Sequence, residues 1–169
     1  MKKLFVTLLP VLCLLLAGLV VPAAAQQKPV LDKAAAGKIV QMLEATGLNY
    51  SKASDNVWLI RYKGDQIGEF NVLVIGHEGM LILTATIAEK KALKLTVDAL
   101  QKLMVLNDDF DRVKVGIDSD GDLFVRTDLT LRIVDAQELQ LNLEQISGAA
   151  DGAFATIKPF LTGPRRTEK

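Results

Sequence analysis

Between Asp32 and Gly47 the apolar residues Ala35, Ile39, Met42 and Leu43 recur at spacings of three and four, the period of one helix face. Asp32 supplies an N-cap oxygen and Gly47 a natural stop. Gly37 inside this helix costs about 1 kcal/mol relative to alanine, so the helix depends on docking. From Leu48 the period changes to two, and Asp55-Asn56, Gly64-Asp65 and Glu78-Gly79 punctuate runs rich in β-branched and aromatic residues. Trp58, Ile60 and Tyr62 share one strand face, with Arg61 and Lys63 on the other. Phe70 to Ile75 is almost wholly apolar. That pattern fits a central strand covered on both faces, or a surface that meets something else. Met80 to Ile87 completes a meander, with Thr84 and Thr86 alternating against Ala85 and Ile87.

A second helix is predicted from near Glu89 to Leu106, with Leu93, Val97, Leu100, Leu103 and Met104 as its buried stripe and Asn107-Asp108-Asp109 as its end. A hairpin follows. Val113, Val115 and Ile117 alternate with polar or small residues, Asp118-Ser119-Asp120-Gly121 turns, and Leu123, Val125 and Thr127 return. The last helix has the clearest signature: Asp135 and Glu138 make a D-x-x-E capping pair. Leu139, Leu143, Ile146, Ala150, Phe154, Ile157 and Leu161 then recur in steps of three and four. A helix from Ala136 to Phe160 would be roughly 38 Å long. Gly148 and Gly152 weaken it locally but would let another element approach. The expected fold is α+β, one antiparallel sheet packed by helices in the order α, β-meander, α, ββ, α.

The N-terminus changes the picture by adding a destination. Lys2 and Lys3 precede an apolar run, Leu4 to Val21, and Pro22-Ala23-Ala24-Ala25 ends it in an A-x-A pattern. This reads as a signal peptide over residues 1–25, cleaved before Gln26, with export to the periplasm or the exterior. The competing reading is an uncleaved anchor, the one route by which the chain would hold a membrane. Cys13 is the single cysteine and leaves with the signal, so no disulfide is expected and the core must hold the fold alone. Residues 26–161 are expected to form one domain, and 162–169 a disordered tail.

Charge excludes one partner class. With Lys2 and Lys3 removed from 20 basic residues, the 20 acidic residues leave a slight negative excess. A nucleic-acid binder would need a basic face to displace counterions.

Candidate chemistry is sparse. Asp118-Ser119-Asp120-Gly121-Asp122 has alternating carboxylates, but its glycine precedes the third acid and the twelfth position is Leu129, not glutamate, so it fits a turn rather than a calcium loop. Asn107, Asp108, Asp109 and Asp111 read as a solvated loop past a helix. His77 is the only histidine and lacks a nucleophile to activate. Neither G-x-S-x-G nor a phosphate-binding glycine loop occurs. No catalytic, cofactor or metal residues are assigned.

Leu103-Met104-Val105-Leu106-Asn107 ending a helix, Val113-Lys114-Val115-Gly116-Ile117-Asp118 with Asp120-Gly121-Asp122-Leu123 in the hairpin, and Arg126-Thr127-Asp128-Leu129 before an amphipathic helix resemble the YbjN family. That family's fold is similar to type III secretion chaperones. The resemblance is best from Leu100 to Phe160 and implies a domain that binds other proteins or itself, with no catalytic residues to carry over. The export signal is a departure, since it removes the chain from cytoplasmic secretion machinery. The expectation is an exported, non-enzymatic, chaperone-like or regulatory protein-binding module that meets a protein partner or its own copy as a homodimer, with Phe70, Val72, Leu73, Val74 and Ile75 as its interaction surface. The alternatives are a carrier holding an apolar ligand between sheet and long helix, and, third, a small hydrolase.

Overall fold

A computed structural model describes residues 32–162. The predicted signal peptide and all but the first residue of the predicted tail lie outside these residues. Six antiparallel strands form one sheet in the order β1-β2-β3-β4-β6-β5: β1 Tyr50–Ser54, β2 Val57–Gly64, β3 Gly68–His77, β4 Met80–Ala88, β5 Lys114–Ile117 and β6 Leu123–Thr130. The meander β1–β4 is extended by a hairpin whose second strand docks beside β4. Helices α1 (Lys33–Thr46), α2 (Val97–Asp109) and α3 (Ala136–Ile157) pack on one side, α3 across the sheet with α1 and α2 flanking it. The expected α+β class and element order are those observed.

The first helix forms as its ends predict. Asp32 accepts a hydrogen bond from the Ala34 N–H, and Gly47, at φ 70°, donates to the Glu44 carbonyl. Ile39, Met42 and Leu43 are buried, and Lys38 anchors the helix by donating to the Leu131 carbonyl at 2.6 Å.

One face of the sheet is the core face. Trp58, Ile60, Phe70, Val72, Val74, Leu81, Leu83, Ala85, Ile87, Leu123 and Val125 are buried beneath α3, which contributes Leu139, Leu143, Ile146, Ala150, Phe154 and Ile157. Burying each of the larger side chains among them contributes about 1.5–3 kcal/mol. Ala149, Ala153 and the wholly buried Asn142 widen the helix stripe beyond the predicted positions, while Leu161 is half-buried and bridges to Leu93. Asp135 accepts from the Glu138 N–H at 2.8 Å, but the Glu138 carboxylate turns to Arg112 and Asn142. The capping pair is therefore half formed. The 22-residue helix spans about 33 Å before a 3-10 turn at Lys158–Phe160.

The glycine pair of α3 behaves unequally. A Cβ at Gly148 would meet nothing within 4 Å, whereas at Gly152 it would touch the Phe110 ring at 3.5 Å. Only Gly152 meets a neighbour closely. A glycine elsewhere matters more. A Cβ at Gly64 would stand 2.3 Å from the Asp151 carboxylate, which accepts from the N–H groups of Gln66 and Ile67 at 2.7 and 2.9 Å. The long helix thereby holds the β2–β3 turn.

The second helix is the main correction. Only Lys90–Ala92 is helical near the predicted start, as one 3-10 turn. Leu93 then extends and bridges to Leu161, and Thr96 caps a new helix by accepting from the Ala99 N–H. Its buried face is Ala99, Leu103 and Leu106; of the predicted stripe within this helix only Leu103 is buried, while Val97 is 73% exposed, Leu100 43% and Met104 69%. The helix carries two apolar stripes, and the one containing small Ala99 docks against the neighbouring elements. Asn107, Asp108 and Asp109 lie inside the helix rather than past it. Asn107 stays helical because its amide is engaged elsewhere: Oδ1 accepts from the Val115 N–H at 2.7 Å and Nδ2 donates to the Val115 carbonyl at 3.2 Å.

Candidate interaction surface

The predicted interaction segment on β3 is divided by the pleat. Phe70, Val72 and Val74 point into the core and are buried, so they offer no surface. Leu73 and Ile75 point to the opposite face, which no helix among the described residues covers, and are half-buried there. The strand is apolar on both faces for two reasons: one face meets helices, the other forms an open patch.

Register builds the patch outward from these two residues. Leu73 is opposite Leu59 on β2, and Ile75 lies between Val57 on β2 and Ile82 on β4. Five aliphatic side chains thus adjoin one another across three strands. Thr84, Arg126 and Lys114 continue the Leu73 row across β4, β6 and β5. The Phe124 ring lies against Gly116, where a Cβ would come within 2.7 Å of it.

Charges edge this patch. Arg61 and Lys63 follow Leu59 on the same face of β2, both exposed and without an ion pair among the described residues. On the other flank Lys114 and Arg126 share the Asp128 carboxylate, with Arg126 Nε at 2.6 Å. Partial burial alone would raise the Asp128 carboxyl, but the hydrogen bonds and charges of Lys114 and Arg126 outweigh it and hold the group below its ordinary value.

A second apolar surface lies on α2, where Val97, Leu100 and Met104 form an outward row at helical spacing, with Val105 exposed beside it. Val97, Leu100 and Met104 belong to the predicted buried stripe but are exposed. Periodicity marks a face as apolar without saying what covers it.

The residues weighed for chemistry serve the backbone. Asp118 Oδ1 accepts from the N–H groups of Asp120 and Asp122, Gly121 takes φ 91°, and Asp122 Oδ1 accepts from the Lys90 N–H at 2.8 Å. The hairpin turn therefore also fixes the 3-10 turn before α2. His77 closes β3 opposite Met80, and its ring is half exposed next to Glu78, which takes φ 43° in the tight turn. Tyr62 stacks on Phe70, its centroid 5.9 Å away, and burial, aided by Glu144, raises its hydroxyl above the ordinary phenol value.

Side chains of the long helix occupy its contact with the sheet. Leu139, Leu143, Ile146, Ala150 and Ile157 are wholly buried between α3 and the sheet. A cleft of about 260 Å³ between the end of α2 and the middle of α3 is lined by Asp109, Asp111, Arg112 and Glu144 beside Phe110, a mixed rather than an apolar wall. Among the described residues no helix is long and apolar enough to cross a membrane.

No protein-family model and no curated protein sequence matches the chain. Solved structures do. The ExoU–SpcU heterodimer from the type III secretion system of Pseudomonas aeruginosa is matched at TM-score 0.53 and 16% identity, over 70% of this chain and 97% of that one. YbjN from E. coli is matched at TM-score 0.53 and 15% identity, over 76% and 96%. The ExsC–ExsE complex is matched at 0.51 and 13%, over 72% and 95%. A six-stranded antiparallel sheet with three helices on one face is here the type III secretion chaperone-like fold that the chain shares with YbjN.

Proposed function

We propose that this chain is an exported, non-enzymatic, chaperone-like module that holds a partner polypeptide on the uncovered face of its sheet. The observation that carries this reading is the aliphatic cluster of Val57, Leu59, Leu73, Ile75 and Ile82, left open on a fold otherwise packed by helices. Apolar side chains adjoining one another on a surface mark a contact site. Two of the matched structures, ExoU–SpcU and ExsC–ExsE, are complexes of two different proteins, which supports a protein partner. Export rests on Lys2, Lys3, the Leu4–Val21 run and the A-x-A ending at Ala25.

The exposed row Val97, Leu100 and Met104 favours a second reading beside the first, in which α2 meets α2 of another copy. The two surfaces lie on different elements and do not compete.

The test is suppression of aggregation of an unfolded model protein, followed by light scattering. Wild type should suppress it at near-equimolar ratio, and Leu73→Asp should lose this while keeping its circular dichroism. Equal suppression by both proteins would sink the sheet face as the binding site. Intact mass of the envelope form checks export: loss of residues 1–25 is expected, and a soluble species retaining Met1 would refute cleavage.

A further inference from the structure

The open face is charged in a consistent sense. By register it carries four cations, Arg61, Lys63, Lys114 and Arg126, against two carboxylates, Glu69 and Asp128. Asp128 is shared by two of those cations, and Arg61 and Lys63 have no ion-pair partner among the described residues. The helix layer behind the sheet is the reverse. Together α1, α2 and α3 contain seven carboxylates, Glu44, Asp98, Asp108, Asp109, Glu138, Glu144 and Asp151, and three cations, Lys33, Lys38 and Lys102. A chain of near-zero net charge is thus divided into a cationic face and an acidic layer.

The cations also bracket the aliphatic cluster. Arg61 lies on β2 and Arg126 on β6, three strands away, so they are separated across the sheet by about 15 Å at ordinary strand spacing. The aliphatic side chains between them are half-buried rather than protruding, which suits a flat contact laid across the strands more than insertion into a lipid layer. Opposite charges around an apolar centre select a partner and guide its approach.

We propose, building on the protein-binding reading above, that the partner segment seated on this face is acidic: a peptide whose aliphatic residues lie on Leu59, Leu73 and Ile75 while its carboxylates meet Arg61 and Lys63 on one flank and Arg126 and Lys114 on the other. A basic segment is repelled by the same groups.

The test uses the domain with two short fluorescent peptides, one alternating leucine with glutamate and one alternating leucine with lysine, read by anisotropy. The glutamate peptide should bind, the lysine peptide should not, and about 0.5 M salt should weaken the complex because exposed charges are then screened. The double substitution Arg61→Glu with Lys63→Glu should cost about tenfold in affinity while the thermal midpoint stays put. Equal binding of both peptides, or no effect of the double substitution, would overturn the acidic assignment. If the double variant still suppresses client aggregation and Leu73→Asp does not, the protein-binding reading stands and only the charge preference falls. Binding to vesicles containing anionic lipid, with neither peptide bound, would replace the peptide by a membrane surface and overturn the proposal.

Discussion

Val72 and Leu73 are adjacent in sequence and lie on opposite sides of one strand, and the contrast between them is the contrast between the two faces of the sheet. Val72 is fully buried among side chains of α3 and the neighbouring strands; Leu73 is half-buried in a patch that no helix among the described residues covers. Their chemistry is nearly the same. What differs is whether the fold needs the apolar group or merely displays it, so substitution at the two positions should separate stability from binding.

The largest expected effect comes from the covered side. Val72→Asp would leave an unpaired carboxylate in the core, costing several kcal/mol, and the purified variant should lack a cooperative denaturant transition. Phe154→Ala, at the far end of the same core, should cost about 3–5 kcal/mol, measured as a fall in urea midpoint. An unchanged midpoint would mean this helix face is not core.

Leu73→Asp should change the urea midpoint little, by about 1 kcal/mol or less, because a charge there remains in contact with water. A loss of several kcal/mol would erase the distinction between the faces.

The Asp128 cluster gives a pH test of the open face. Its carboxyl is held below its ordinary value of 3.8, so the contribution of the Lys114 and Arg126 pairs is present above that pH and is lost as pH falls through the lower folded value. Wild type should lose stability in that acid window more steeply than Asp128→Asn. The two proteins should show parallel profiles between pH 5 and about 7.

The smallest effect is expected at the acidic hairpin. Since Asp118 and Asp122 carboxylate oxygens accept backbone N–H bonds, thermal melts in millimolar calcium and in chelator should superimpose. A rise of several degrees with calcium, abolished by asparagine at positions 118, 120 and 122, would overturn the turn-only account.

Local rules made much of the fold readable. Asp32 and Gly47 bound α1, the strand faces follow alternation, and α3 follows one long stripe, because each feature is decided by residues close in sequence. The misplaced stripe of α2 has another origin. Val97, Leu100 and Met104 are as periodic as Ala99, Leu103 and Leu106, and only docking selects between them. The same limit applied at Phe70 to Ile75, where sequence gave an apolar run but not which half of it a helix would cover. The cationic rim was not legible either. Arg61 and Arg126 are 65 positions apart, and only strand order and register place them around the same patch.

The Asn107 side chain has a consequence for aggregation. Strand β5 is one of the sheet's two borders, and at Val115 both outward main-chain groups are already taken by that single amide. Fibrous growth needs each molecule to offer two unpaired borders, one to receive a neighbour and one to pass the contact on. With Val115 occupied in this way, a neighbouring strand approaching β5 loses two of the main-chain partners it would need there. A helix residue thereby blunts one border of the sheet.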